Sequence, residues 1–184
     1  MTRRDTVARS LHDLGLAAWF GGSVMGAVGL NGAAAHLPDR RQRLQAASRG
    51  WARWAPVNGA AIAAHVTGAV LLLEANKGRL AAQAGVGRLS AVKAGLTVAA
   101  LGTTAVSAAY GQKTARAGEV EVEGATEPAE STPAELARAQ SRLRLLQWAT
   151  PLLTGAIVVL NAQLGEQQRP AQVAQGIFSR FSRK

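Results

Sequence analysis

Residues 14–35 read LGLAAWFGGSVMGAVGLNGAAA, 22 residues without a charged side chain. In a helix, about 20 apolar residues match the thickness of a bilayer's hydrocarbon core. Three more windows, 54–73, 94–112 and 145–165, are also free of charge. The pattern predicts an all-α polytopic membrane protein, a four-helix transmembrane bundle with amphipathic surface segments. Its spans fall at about 14–35, 54–74, 92–111 and 145–165, in one domain covering residues 1–184.

Composition agrees once it is taken in pieces. Mean hydropathy is only +0.05 because the charged residues are gathered in tails and loops. Aromatic residues make up 4% and there are 20 glycines, so a soluble core would lack large anchors. Small residues at helix contacts are what membrane bundles use, since lipid offers no hydrophobic drive between helices. The absence of cysteine excludes disulfides, thiolate metal sites and thiol catalysis. The net charge of +10 lies in segments flanking apolar spans, so the expected partner is anionic lipid headgroups and not nucleic acid.

Arg3, Arg4 and Arg9 precede the first span. A signal peptide begins in this way, with Ala33, Ala34 and Ala35 as a possible cleavage site. The apolar segment is too long for that, and three spans follow it. Gly22, Gly26, Gly29 and Ala33 share one helical face, a ridge suited to close helix packing. Asn31 and His36 lie at the far end, and Pro38 stops the helix. Residues 39–53 carry five arginines, with Leu44, Ala47, Trp51 and Trp54 at helical spacing. That segment reads as an amphipathic helix on the membrane surface with its tryptophans among the headgroups.

The second span begins at Pro56, a favourable first helical position. Asn58 and His65 share a face, and His65 is the only ionisable group near the middle of a span. An intramembrane ionisable residue points to function by default. The plainer reading is an imidazole hydrogen-bonded to a neighbouring helix. His65, Asn58, Asn31 and His36 are the candidate polar intramembrane site, expected to line one outward-facing pocket. In the third span Ala91, Gly95, Ala99, Thr103 and Ser107 recur every four residues, which predicts a second packing ridge. Residues 112–132, rich in glutamate, are expected to form a flexible acidic loop. Thr132-Pro133-Ala134-Glu135 has the form of a capping box opening the fourth helix, with Pro151 as a kink or break inside it. Residues 169–184 pair an apolar stripe with arginines, as a surface-bound amphipathic tail does.

His12-Asp13-Leu14-Gly15 and Trp19-Phe20-Gly21-Gly22, with residues 50–58 (GWARWAPVN), resemble small four-span integral membrane proteins of actinobacteria of unknown function. The likeness covers about residues 10–75. A histidine followed by Trp-x-Gly-Gly also resembles copper-resistance D type membrane proteins, which implies copper handling. The chain departs from that family where ligands would be needed. It has no cysteine, Met25 is its single internal methionine, and its histidines are scattered. No copper ligand is carried over.

The chain holds no Gly-x-Ser-x-Gly elbow, P-loop, dinucleotide fingerprint or His-Glu-x-x-His. No catalytic residue, metal or cofactor is expected. One function class is a non-enzymatic membrane protein that packs with itself or with another membrane protein. The other is a small-molecule, ion or redox carrier built around His65. Haem held by two histidines needs them at matching depth on facing helices, and His12 and His36 are expected at opposite ends of the first span. Basic residues are almost equally shared between the two sides. Orientation therefore rests on the first helix, which places both termini in the cytoplasm of a bacterial cell, across its plasma membrane.

Overall fold

The computed structural model describes residues 3–82 and 86–166. It is an all-α four-helix bundle. Helix α1 (Arg3–Met25) passes through a π-helical turn (Gly26–Leu30) into the short α2 (Asn31–Ala35). Helices α3 (Arg40–Ala82), α4 (Val86–Ala115) and α5 (Ala134–Glu166) follow. Among the described residues, four helical stretches are long and apolar enough to cross a membrane: Asp5–Ala35, Arg40–Ala75, Gly87–Ala115 and Ala134–Gln163. This is the architecture of a multi-pass membrane protein. The basic tail, 169–184, lies outside the described residues.

The bundle is built from two tight pairs, α1 with α3 and α4 with α5. Glycine decides how α1 and α3 meet. A Cβ on Gly15 would fall on the backbone of Ala61 and His65, and one on Gly68 would fall on the backbone of His12 and Ala8. Two helix backbones therefore touch at this crossing, which only a residue without a side chain permits. Farther along, Gly22 and Gly26 are open spaces filled by the indoles of Trp54 and Trp51. The π turn begins at Gly26, where the Trp51 ring lies against the chain.

These contacts overturn the expected surface helix. Residues 40–53 are the first turns of one continuous 43-residue helix, α3, with Pro56 inside it rather than at its start. The stripe of Leu44, Ala47, Trp51 and Trp54 is apolar because it faces protein. Leu44 and Ala47 are buried, and the two tryptophans pack on α1. A proline inside a spanning helix is tolerated because neighbouring groups can satisfy the carbonyl it leaves free.

The acidic loop is also different from its expectation. α4 continues through residues 112–115, and the chain beyond them folds into a cap over the starts of α3 and α5. Val122 is fully buried between Leu44 and Leu136, and Ala125 packs on Ala34 and Ala47. The Gln140 side-chain amide donates to the carbonyls of Gly124 (3.0 Å) and Ala125 (3.3 Å). Glu123 pairs with Arg40 at 2.9 Å and Arg43 at 3.6 Å, and Glu121 with Arg41 at 3.5 Å. The composition of glutamates and prolines hid the few apolar residues that anchor the cap. The capping box does not form either. The Thr132 hydroxyl donates to the Glu121 carbonyl and accepts from the Ala129 amide, while Glu135 pairs with Lys113.

Candidate functional site

Antiparallel pairing sets the depth of every polar side chain in the bundle. His12 and Gly15 of α1 meet His65 of α3, and Gly22 meets Trp54. On α4, Lys93 reaches His12 and Thr104 reaches Trp19. On α5, a Cβ added to Gly155 would stand 3.2 Å from the Phe20 ring, and Gln147 bonds Asn31. Trp19, Phe20, Thr104 and Gly155 thus mark the middle of the bundle. His65 is not at that level. It stands between Trp19 and His12, toward the end where the chain begins. The charge-free windows of α1 and α3 are staggered against each other, so counting residues into each window misplaced it.

The site is a cluster on three helices. The His12 and His65 rings are stacked at a tilt of 40°, with centroids 4.3 Å apart. Both side chains are buried. His12 Nδ1 lies 2.8 Å from the Asp13 carboxylate and donates to it. This fixes the tautomer, so a neutral His12 offers Nε2 as an acceptor, and Lys93 Nζ lies 3.5 Å away as its donor. His65 Nδ1 donates to the His12 carbonyl at 3.1 Å. Its other nitrogen, Nε2, is buried without a partner among the described residues. The edge of Trp19 closes one side, 6.1 Å from the His65 ring, and the Trp19 indole donates to Thr104 at 3.2 Å. Asp13 is the exposed member, at 55% of its side chain, and links the cluster to the surface.

The four residues expected to line one pocket do not converge. His65 belongs to the cluster just described. Asn58 is two turns away on the same face, with its carbonyl oxygen buried and unpaired. Asn31 is fully engaged in the other half of the bundle, accepting from Trp51 Nε1 at 2.9 Å and donating to Gln147 at 3.0 Å. His36 is exposed and donates to the Gly32 carbonyl at 2.8 Å. The expectation that no histidine matches His65 in depth is likewise corrected, because His12 does. Even so, the two rings touch, and no macrocycle fits between imidazoles already in contact.

The expected packing residues divide in the same way. Gly22 and Gly26 receive indoles, whereas the nearest neighbour of Gly29 is the Met25 side chain one turn before it. Gly95 and Ala99 face outward. Thr103 turns toward α5 and shares a hydrogen bond with Thr150 at 3.1 Å. Gly15 and Gly68, the real points of backbone contact, were missed. The signal for them was their spacing, three residues after His12 and three after His65, which puts each glycine beside a histidine on one helical face. Among the described residues no group of three or more His, Asp or Glu side chains is placed to hold a metal ion. No protein-family model, curated protein or solved structure matches the chain.

Proposed function

We propose that the protein is a non-enzymatic component of a bacterial plasma membrane that associates with a second copy of itself along α4. The outer face of α4 carries this reading. Ala91, Gly95, Val98, Gly102, Ala105 and Ala109 alternate four- and three-residue steps, and all six are exposed. That is the spacing of a coiled-coil seam, with small residues at nearly every position. A Cβ on Gly95 or Gly102 would meet nothing within 4 Å. The opposite face, with Lys93, Ala100, Thr104 and Ser107, turns into the bundle. Of the four spans α4 is the least covered by its own chain. Small residues in such a seam let two helices approach closely enough for packing to replace lipid contacts.

The chain has no cysteine, so Val98→Cys introduces a single thiol. Mild oxidation of membranes carrying this variant should give a disulfide-linked dimer. Adding Gly102→Leu should suppress the dimer while leaving thermal stability in detergent unchanged. A Val98→Cys protein that stays monomeric on oxidation, with the wild type also monomeric in mild detergent, would overturn the reading.

The proposed orientation puts the first residues of α1 inside the cell and the acidic cap outside. Ser10 and Ser131 are exposed at these two ends. A membrane-impermeant maleimide on intact cells should label Ser131→Cys and spare Ser10→Cys. The opposite pattern would invert the topology.

A second reading, a carrier of a small molecule or ion, is favoured by one observation, the unpartnered Nε2 of His65 at the end of the histidine cluster.

A further inference from the structure

His65 Nε2 is one of four buried polar atoms on α3 and α4 that lack a hydrogen-bond partner among the described residues. The others are Trp54 Nε1, Asn58 Oδ1 and Ser107 Oγ. Trp54, Asn58 and His65 lie on a single stripe of α3, separated by four and seven residues, the stripe that faces α1 through Ala61 and Gly68. Ser107 belongs to the inward face of α4, one turn beyond Thr104. Thr104 is bonded to Trp19, and one turn beyond Trp19 on α1 is Gly22, where the Trp54 indole rests. Ser107 and Trp54 are therefore at the same depth. The three atoms on α3 span the levels from Trp54 to His65, a rise of about 16 Å at 1.5 Å per residue, and Ser107 on α4 stands at the Trp54 end.

Their chemistry is complementary but not mutual. Trp54 offers a proton. Asn58 Oδ1 accepts one, and Ser107 can do either. His65 Nε2 is an acceptor, because Nδ1 holds the proton given to the His12 carbonyl. Buried polar groups in folded proteins are paired with protein or with ordered water, and an internal water takes two to four such partners. In a hydrocarbon environment no other source of pairing exists. We propose that a short file of bound water runs between α1, α3 and α4, accepting from Trp54 Nε1, bridging Asn58 and Ser107, and ending as the donor to His65 Nε2. The file joins the middle of the membrane to the histidine cluster, whose other members are His12 and Asp13 of α1 and Lys93 of α4. It is independent of self-association along the opposite face of α4.

Tryptophan indoles report on it directly, because the paired ones serve as internal controls. Trp19 Nε1 is bonded to Thr104 and Trp51 Nε1 to Asn31. The full chain, labelled with 15N-tryptophan and placed in lipid nanodiscs, should give a Trp54 indole cross-peak to water. In heavy water the Trp54 signal should decay about tenfold faster or more than those of Trp19 and Trp51, by the ordinary contrast between local opening and protected bonds. Asn58→Leu and Ser107→Ala each remove one station of the file. Each should slow exchange at Trp54 while the Trp19 and Trp51 resonances stay in place. A Trp54 indole as protected as Trp19 and Trp51 would mean that Trp54 and Asn58 pair directly and the file is absent. Fast Trp54 exchange unaltered in both variants would place the water elsewhere and overturn the proposal equally.

Discussion

Gly15→Leu and Gly68→Leu should each remove most of the folded protein from a detergent extract. At both positions the new side chain would start inside the backbone of the facing helix, Ala61 and His65 for Gly15, Ala8 and His12 for Gly68. A clash with a flexible side chain can be relieved by rotation, but a clash with backbone requires the two helices to separate. Overpacking a core typically costs about 1–3 kcal/mol, and more where nothing can give. Separation of α1 and α3 would also part the stacked His12 and His65 rings and remove the bond from His65 to the His12 carbonyl. Against a total stability of about 5–15 kcal/mol, the loss should reach several kcal/mol. Size-exclusion profiles after graded heating measure it. Gly95→Leu and Gly102→Leu, whose new side chains point into open space, should keep the wild-type midpoint of thermal loss even where they shift the oligomer peak. Gly26→Ala should fall between, since its neighbour is the movable Trp51 ring. Wild-type stability in Gly15→Leu and Gly68→Leu would refute the crossing.

The division between what the sequence showed and what it concealed follows from the physics of each signal. Four charge-free windows suffice to count spans, because exclusion of charge from hydrocarbon acts on each helix separately. Relative depth depends on contacts between helices. The window of α3 begins at residue 54, yet Trp54 lies opposite Gly22, well inside the window of α1. His65 therefore looked central and His12 terminal, although the two rings touch. The small-residue ridges were ambiguous for the same reason. Gly22, Gly26 and Gly95 have identical local signatures, but two receive indoles and the third faces outward. The arginines of residues 40–53 suggested a surface. Their partners, Glu121 and Glu123, are some 80 residues away in a segment that composition marked as unstructured. Only three-dimensional placement makes that segment a cap.

Val122→Asp should release that cap while the spans remain folded. Val122 is fully buried and bridges Leu44 of α3 to Leu136 of α5. Burying an aliphatic side chain of this size contributes about 1.5–3 kcal/mol, and a carboxylate in its place would have to shed water without a partner there. The loop has an easier response, which is to leave. Its remaining ties are weak one by one. The Arg41–Glu121 pair is solvent-exposed on both sides, and pairs of that kind contribute about 0–1 kcal/mol. The Gln140 bonds to Gly124 and Ala125 depend on the loop staying seated. Lost together, these contacts detach residues 118–132, whereas the Gly15 and Gly68 crossing lies in the other half of the bundle and is untouched. A glutamate-specific protease reads the outcome, since Glu119, Glu121, Glu123, Glu127 and Glu130 are all in the segment. Wild-type protein in nanodiscs should resist cleavage there, and Val122→Asp should be cut rapidly with the bundle still eluting as one species. Arg41→Ala should stay close to wild type. Equal resistance in Val122→Asp would show that the cap is not held by its apolar anchor.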